Sequence, residues 1–281
     1  MKLLRFGERG QEKPGALDAD GRIRDLSSVV ADIDGAVLGD ASLATLRDVD
    51  LTSLPLVADG VRIGPCVGRV GKFVCIGLNY ADHAAESNLP IPSEPVVFNK
   101  WTSAIIGPND DVEIPRNSKK ADWEVELGVV IGKPTKYIGV ENALDHVAGY
   151  CVINDVSERE WQTERGGQWD KGKGFDTFGP LGPWLVTRDE VADPQKLGLW
   201  LEIDGHRYQN GNTSTMIFTV AQIVSYLSQC MSLQPGDVIS TGTPPGVGMG
   251  VKPTPVFLKA GQTMRLGIDG LGEQQQRTIA A

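Results

Sequence analysis

Asp122-Trp123-Glu124-Val125-Glu126-Leu127-Gly128-Val129-Val130-Ile131-Gly132 decides how this chain folds. Trp123, Val125, Leu127, Val129 and Ile131 share one parity, and Glu124, Glu126, Gly128 and Val130 the other. That period-2 alternation is the mark of a β-strand with one face in a core. It also puts two carboxylates on one face, about 7 Å apart along the strand. Like charges at that spacing repel, and their burial is costly without a positive partner, of which a divalent metal ion is the simplest. Taken alone, the stretch fits a solvated polar face of an antiparallel strand better than a metal site.

Downstream, Tyr150-Cys151-Val152-Ile153-Asn154-Asp155 is a second apolar strand, ending on a carboxylate. Ser157-Glu158-Arg159-Glu160 follows with the spacing of a capping box, so a helix is expected over about 157–165. Asp155 then stands where a buried strand meets a helix start, within reach of a neighbouring strand carrying Glu124 and Glu126. Three carboxylates without histidine or thiolate make a hard oxygen site suited to Mg²⁺ or Mn²⁺, with Ca²⁺ as a further candidate. The free amides and positive dipole end of the helix offer a place for an anion beside it.

Composition sets the outer limits. The 281 residues suffice for one large domain and a small one, and 41% hydrophobic with 22% charged residues is ordinary for a globular chain. A net charge of −9 without a basic cluster argues against nucleic acid or an anionic membrane surface as partner. No apolar run is long enough to span a bilayer, and Met1-Lys2-Leu3-Leu4-Arg5-Phe6 reads as a strand, not a signal peptide, so a cytoplasmic protein is expected. Cys66, Cys75, Cys151 and Cys230 stand singly and are expected as buried, reduced thiols.

Residues 1–67 read as a small module with strands at Lys2–Phe6 and about Arg22–Leu26 and a helix near Ala41–Arg47; residues 68–281 form the main domain. There Phe73–Gly77, Val96–Lys100, Val112–Ile114, Trp123–Gly132, Gly149–Asp155, Trp184–Val186, Leu199–Ile203, Arg207–Asn210, Val238–Ser240 and Met264–Ile268 read as strands. Tyr80–Ser87, Glu141–His146, Ser157–Arg165 and Val220–Cys230, the last capped by Thr219, read as helices. Asp204-Gly205 is a type I′ hairpin signal. Many strands with few helices predict an α+β protein built on a curled mixed sheet.

His83 and Glu86 lie three apart on one helical face, close enough for the carboxylate to orient the imidazole as a general base for water. A surface ion pair is the plainer reading of the same spacing. The tract Asn88-Leu89-Pro90-Ile91-Pro92-Ser93-Glu94-Pro95 reads as an exposed loop able to serve as a lid. Lys173, set between glycines, can stabilise an oxyanion in a pocket, although local sequence favours a solvated side chain. Thr241-Gly242-Thr243 can hold a carboxylate with its hydroxyls and amides. The Gly246-Val247-Gly248-Met249-Gly250 run lacks the lysine and following helix of a phosphate loop, which excludes nucleotide binding.

Taken in order, five motifs closely resemble those of the fumarylacetoacetate hydrolase family. They are Gly77-Leu78-Asn79-Tyr80-Ala81-Asp82-His83, Trp123-Glu124-Val125-Glu126-Leu127-Gly128, Asn154-Asp155-Val156-Ser157, Lys173-Gly174-Phe175-Asp176-Thr177-Phe178-Gly179-Pro180 and Thr241-Gly242-Thr243-Pro244, and the likeness runs over about residues 72–270. The resemblance implies the family's mixed β-sandwich roll with a small N-terminal α/β module, and a homodimer. It implies Glu124, Glu126 and Asp155 as metal ligands, His83 and Glu86 as a water-activating pair, and Lys173 as the active-site lysine. Arg159 and Gln162 would orient substrate, and Thr243 would contact its carboxylate end.

The implied activity is hydrolysis of a C–C bond in a small 2-oxo acid such as an acylpyruvate, with Mg²⁺, or else Mn²⁺ or Ca²⁺. Expelling a carbanion beside a ketone requires it to be held as an enolate, which a divalent ion chelated by the 2-oxo-carboxylate stabilises. A decarboxylase, an isomerase or a ureidoglycolate-type lyase on a related oxo acid would use the same frame. A non-catalytic, metal-stabilised protein is the rival from a different class, and it has no need of His83, Glu86 or Lys173.

Overall fold

The computed structural model describes residues 1–82 and 91–281. The His83–Glu86 pair and the first part of the expected lid therefore lie outside the described residues. Three short strands open the chain: β1 Lys2–Phe6, β2 Lys13–Leu17 and β3 Ile23–Asp25. They are followed by β4 Phe73–Gly77, β5 Val96–Lys100, β6 Ile105–Ile106, β7 Val112–Ile114, β8 Ala121–Asp122, β9 Val125–Ile131, β10 Val147–Asn154 and β11 Ser157–Glu158. The remainder holds β12 Gly179–Thr187, β13 Gly198–Ile203, β14 His206–Asn212, β15 Val238–Ser240, β16 Thr263–Ile268 and β17 Gly272–Ala280.

Ten strands form one sheet in the order β3-β2-β1-β12-β10-β9-β15-β4-β5, with β6 beside β12, and five form a second, β14-β13-β16-β17-β7. Both are mixed, because β15–β4, β12–β6 and β17–β7 run parallel within otherwise antiparallel sheets. The second sheet packs over β9, β10 and β12 and makes the expected sandwich. Val125, Leu127, Val129 and Ile131 enter the core between the sheets with Leu199 and Leu201 of β13 and Met264 and Leu266 of β16.

The opposite face of β9 is covered too. Val130 belongs to a second core with Leu3, Ala16, Leu26, Leu38 and Leu46 from the first part of the chain. All seven residues of β9 are buried, so the solvated polar face that the alternation alone favours does not occur. Residues 1–67 reach the site's sheet directly, since β1 pairs with β12 with Leu3 opposite Leu185.

The helix Val220–Cys230 forms with a full capping box between Thr219 and Gln222. Asp204 and Gly205 take φ of 50° and 81°, as a type I′ turn requires. Cys66, Cys75 and Cys151 are buried, but Cys230, the last residue of the helix, is exposed. Among the described residues no helix is long and apolar enough to cross a membrane.

Candidate active site

β9 and β10 lie side by side with Val125 opposite Asn154, so the residues flanking that rung, Glu124 and Asp155, are brought together. The Asp155 amide donates to the Glu124 carbonyl at 2.9 Å. Glu126, two residues along, shares the parity of Glu124. One oxygen from each of Glu124, Glu126 and Asp155 lies within 4.8 Å of the others, and all three residues are buried.

Three cations surround them. Lys173 Nζ donates to Glu124 Oε2 and Asp155 Oδ2, each at 2.7 Å. Lys100, the last residue of β5, donates to Asp155 Oδ1 at 2.6 Å and to the Val156 carbonyl at 2.9 Å. Arg159 Nη1 lies 2.7 Å from Glu124 Oε1. The solvated reading of Lys173 is thus overturned: the short helix Asp170–Lys173 turns its side chain inward to a site only 2% exposed. Burial alone would lower the pKa of Lys173, but Asp155 and Glu124 raise it, and the ammonium is kept. Arg159 follows the same logic: burial opposes its charge, and Asp122 and Glu124 more than restore it.

Glu126 is held from the far side. Its Oε2 accepts from Ser240 Oγ at 2.6 Å and from the Gly242 amide at 2.8 Å. The Thr241–Thr243 turn therefore cradles a carboxylate, and that carboxylate is the protein's own. Gly242 is needed there, with φ of 100° and a Cβ position only 2.7 Å from Asn79 Cβ. Thr243 lines the pocket, but its hydroxyl donates to the Val125 carbonyl at 2.9 Å and accepts from Gln209 at 2.8 Å. Its proton is already used, so the side chain can accept from a ligand but cannot donate to a carboxylate. Burial pushes the Glu126 carboxyl well up, and the neighbouring Asp155 and Glu124 charges push it further. A cation beside it would reverse that trend.

The expected helix at 157–165 gives way to different local structure. Ser157–Glu158 pairs with Ala121–Asp122 as a short bridge, and the Ser157 hydroxyl donates to the Asp155 carbonyl instead of serving as a cap. Glu158 caps the following turn by accepting from the Trp161 amide at 2.8 Å, while Glu160 turns out to Arg165. Glu160–Glu164 is a single π-type turn, a feature frequent at functional sites. The expected α-helix start beside Asp155 is thus absent among the described residues. What the turn delivers is Arg159 and Gln162 on one face, with Arg159 Nη1 donating to Gln162 Oε1 at 3.0 Å. Among the described residues Arg159 Nη2 is buried without a partner, a donor waiting for an acceptor.

Sequence reading missed two residues here, Lys100 and Asp122. Asp122 accepts from Arg159 Nε at 2.8 Å, and from the amides of Gly248 at 2.6 Å and Met249 at 3.0 Å. One carboxylate thus fixes both a guanidinium and a loop. Around these groups lies a pocket of about 360 Å³, lined by Glu124, Glu126, Arg159, Gln162, Lys173 and Thr243 together with apolar Ile76, Phe98 and Trp169.

The residues fit a divalent cation. Four buried carboxylates (Asp122, Glu124, Glu126 and Asp155) face three buried cations (Lys100, Arg159 and Lys173), leaving an excess of negative charge. The oxygen-only donor set suits a hard ion. The place already draws positive charge, since the Lys173 ammonium sits between two of the three carboxylates.

The profile of the fumarylacetoacetate (FAA) hydrolase C-terminal family matches residues 72–279. The chain belongs to this family. It is 75% identical over 278 residues to a Burkholderia ambifaria protein that carries only a provisional hydrolase name, covering 99% of each chain. Among solved structures, it is similar to a fumarylacetoacetate hydrolase from psychrophilic Exiguobacterium antarcticum, at 36% identity and a TM-score of 0.86 over 100% of both chains. It is also similar to the maleylpyruvate hydrolase of Sphingobium sp. SYK-6 in complex with manganese(II) and pyruvate, at 28% identity and a TM-score of 0.83, again over 100% of both chains.

Proposed function

We propose that this protein is a cytoplasmic, homodimeric, divalent-metal-dependent hydrolase of a C–C bond in a small 2-oxo acid of the acylpyruvate type. The observation that carries the reading is the convergence of Glu124, Glu126 and Asp155 in a pocket that also holds Lys173 and the Nη2 of Arg159, which has no partner among the described residues. A purely structural metal site has no use for an open pocket or an unspent guanidinium donor. The manganese and pyruvate bound by the Sphingobium enzyme support the same assignment.

A Mg²⁺ or Mn²⁺ ion held by Glu124, Glu126 and Asp155 would supply Lewis-acid stabilisation of developing enolate charge. Arg159 Nη2 and the Gln162 amide would take the substrate carboxylate. Lys173, held protonated, balances the incoming negative charge. His83, oriented by Glu86, would accept a proton from water as its oxygen adds to the distal carbonyl. The bond between that carbonyl and the adjacent methylene then breaks, and its electron pair passes into the pyruvate enolate. Protonation of the enolate gives pyruvate beside a carboxylic acid.

The test is a panel of acylpyruvates with Mg²⁺ or Mn²⁺, following loss of diketone absorbance and assaying pyruvate. Stoichiometric pyruvate is expected, with no turnover in excess chelator. Release of CO₂ without pyruvate would reassign the chain as a decarboxylase, and equal activity on simple esters would remove enolate chemistry altogether. The dimer is supported by β5, an edge strand that exposes Val97 and is followed directly by the exposed Trp101. Light scattering should give twice the 30.2 kDa of one chain.

A further inference from the structure

We infer that Lys252 reads a second negative charge on the substrate, so that the pocket selects a 2-oxo acid with a carboxylate at its far end. The inference rests on the reading of the site just proposed.

Lys252 lines the same pocket as Glu124, Glu126 and Arg159. Among the described residues it has neither an ion-pair nor a hydrogen-bond partner, whereas Lys100, Arg159 and Lys173 are each committed to carboxylates. Apart from the charged groups, Gln162, Thr163 and Thr243, the side chains lining the pocket are apolar: Ile76, Leu78, Phe98, Trp169 and Met249. Such a wall offers no partners to a chain of hydroxyl groups, so a polyhydroxylated acid would lose hydrogen bonds to water on entry without regaining them. A carbon chain with few polar groups and a charge at each end satisfies all three observations.

The loop that carries Lys252 is braced. Trp123 Nε1 donates to the Gly246 carbonyl at 3.0 Å, and the Val256 amide donates to the Gly248 carbonyl at 2.9 Å. Asp122 holds the Gly248 and Met249 amides. A Cβ on Gly248 would come within 2.0 Å of the Val256 carbonyl oxygen, so the loop packs there without slack. Asp122 also holds Arg159 Nε, so the inner guanidinium and the loop bearing the outer ammonium are tied to one carboxylate. The guanidinium and the loop backbone are thus held in place before a ligand arrives, and the exposed Lys252 side chain reaches over the pocket from that braced base.

The test uses matched 2-oxo acids that differ only in the distal carboxylate: 2-oxoglutarate against 2-oxopentanoate, and 2-oxoadipate against 2-oxohexanoate. Calorimetric titration into the full-length, Mn²⁺-loaded protein should show the dicarboxylate of at least one pair binding roughly tenfold more tightly, the scale of one charge-assisted contact. Lys252→Met should reduce that ratio to about one, and Lys252→Arg should keep it. A wild-type ratio of one in both pairs, or a ratio that survives in both Lys252→Met and Lys252→Gln, would overturn the role of Lys252 and leave the proposed function standing. If no 2-oxo acid binds the metal-loaded protein, both readings fall.

Discussion

Lys100 Nζ donates to Asp155 Oδ1 at 2.6 Å, and neither side chain is exposed at all. The pair joins an edge strand of the main sheet to the end of β10, and the same ammonium also serves the Val156 carbonyl. Removing one partner from a buried pair strands the other, and such losses run to about 3–5 kcal/mol. Lys100→Met should therefore lower the unfolding free energy by an amount of that order in urea titration, with part of it regained in saturating Mn²⁺. A loss below about 1 kcal/mol would mean that Lys173 alone neutralises Asp155.

Glu126→Gln keeps an acceptor for Ser240 and Gly242 but removes a charge from the triad. Metal affinity measured by calorimetry and turnover of an acylpyruvate should fall together. A variant that turns over at the wild-type rate in excess chelator would remove Glu126 from the ligand set.

His83→Ala should slow acylpyruvate turnover by roughly 10²–10⁴-fold, the usual effect of a positioned acid–base group. Metal affinity should stay as in the parent protein. Unchanged turnover at saturating substrate would place water activation on another group.

Asp18 is held at about pKa 2, first by the Arg22 amide and then by the Arg24 guanidinium. A depressed carboxyl stabilises the fold above its unfolded pKa of about 3.9 and loses that contribution as pH falls through the folded value. Asp18→Asn should thus be less stable than the parent at pH 7, with the gap closing between about pH 4 and 2. A gap that stays constant over that range would show that the loss comes from packing and not from charge.

The strand carrying Glu124 and Glu126 is legible because period-2 alternation is local, and so is the capped helix after Thr219. Lys100 is not legible: a lysine ending an apolar strand looks like any solvated strand end, and its partner lies 55 residues away. The turn after Asp155 is misread because the Ser157 hydroxyl donates to the Asp155 carbonyl instead of accepting from an amide, a choice that no spacing rule reveals. β17 escapes because its inward residues are Gln274 and Gln276, which are buried and feed the carbonyls of Val152, Gly182 and Pro108. Hydrophobic alternation is blind to a face whose purpose is hydrogen bonding. The carboxylates are visible in sequence, and what is hidden is the set of cations and amides that holds them.

The pairing of β1 with β12 also has a consequence in time. Lys2 lies opposite Val186, so β1 waits for a partner strand, β12, made more than 180 residues later. At common rates of synthesis that wait is roughly 10–40 s. During it Leu3 and Leu4 can pair only with β2, and the other edge of β1 stays uncovered, although both residues end fully buried. The nascent chain must therefore carry a small three-stranded sheet with an open apolar edge at β1 through most of its own synthesis, and its yield in the cell should depend on chaperone capacity more than the finished protein's stability would suggest.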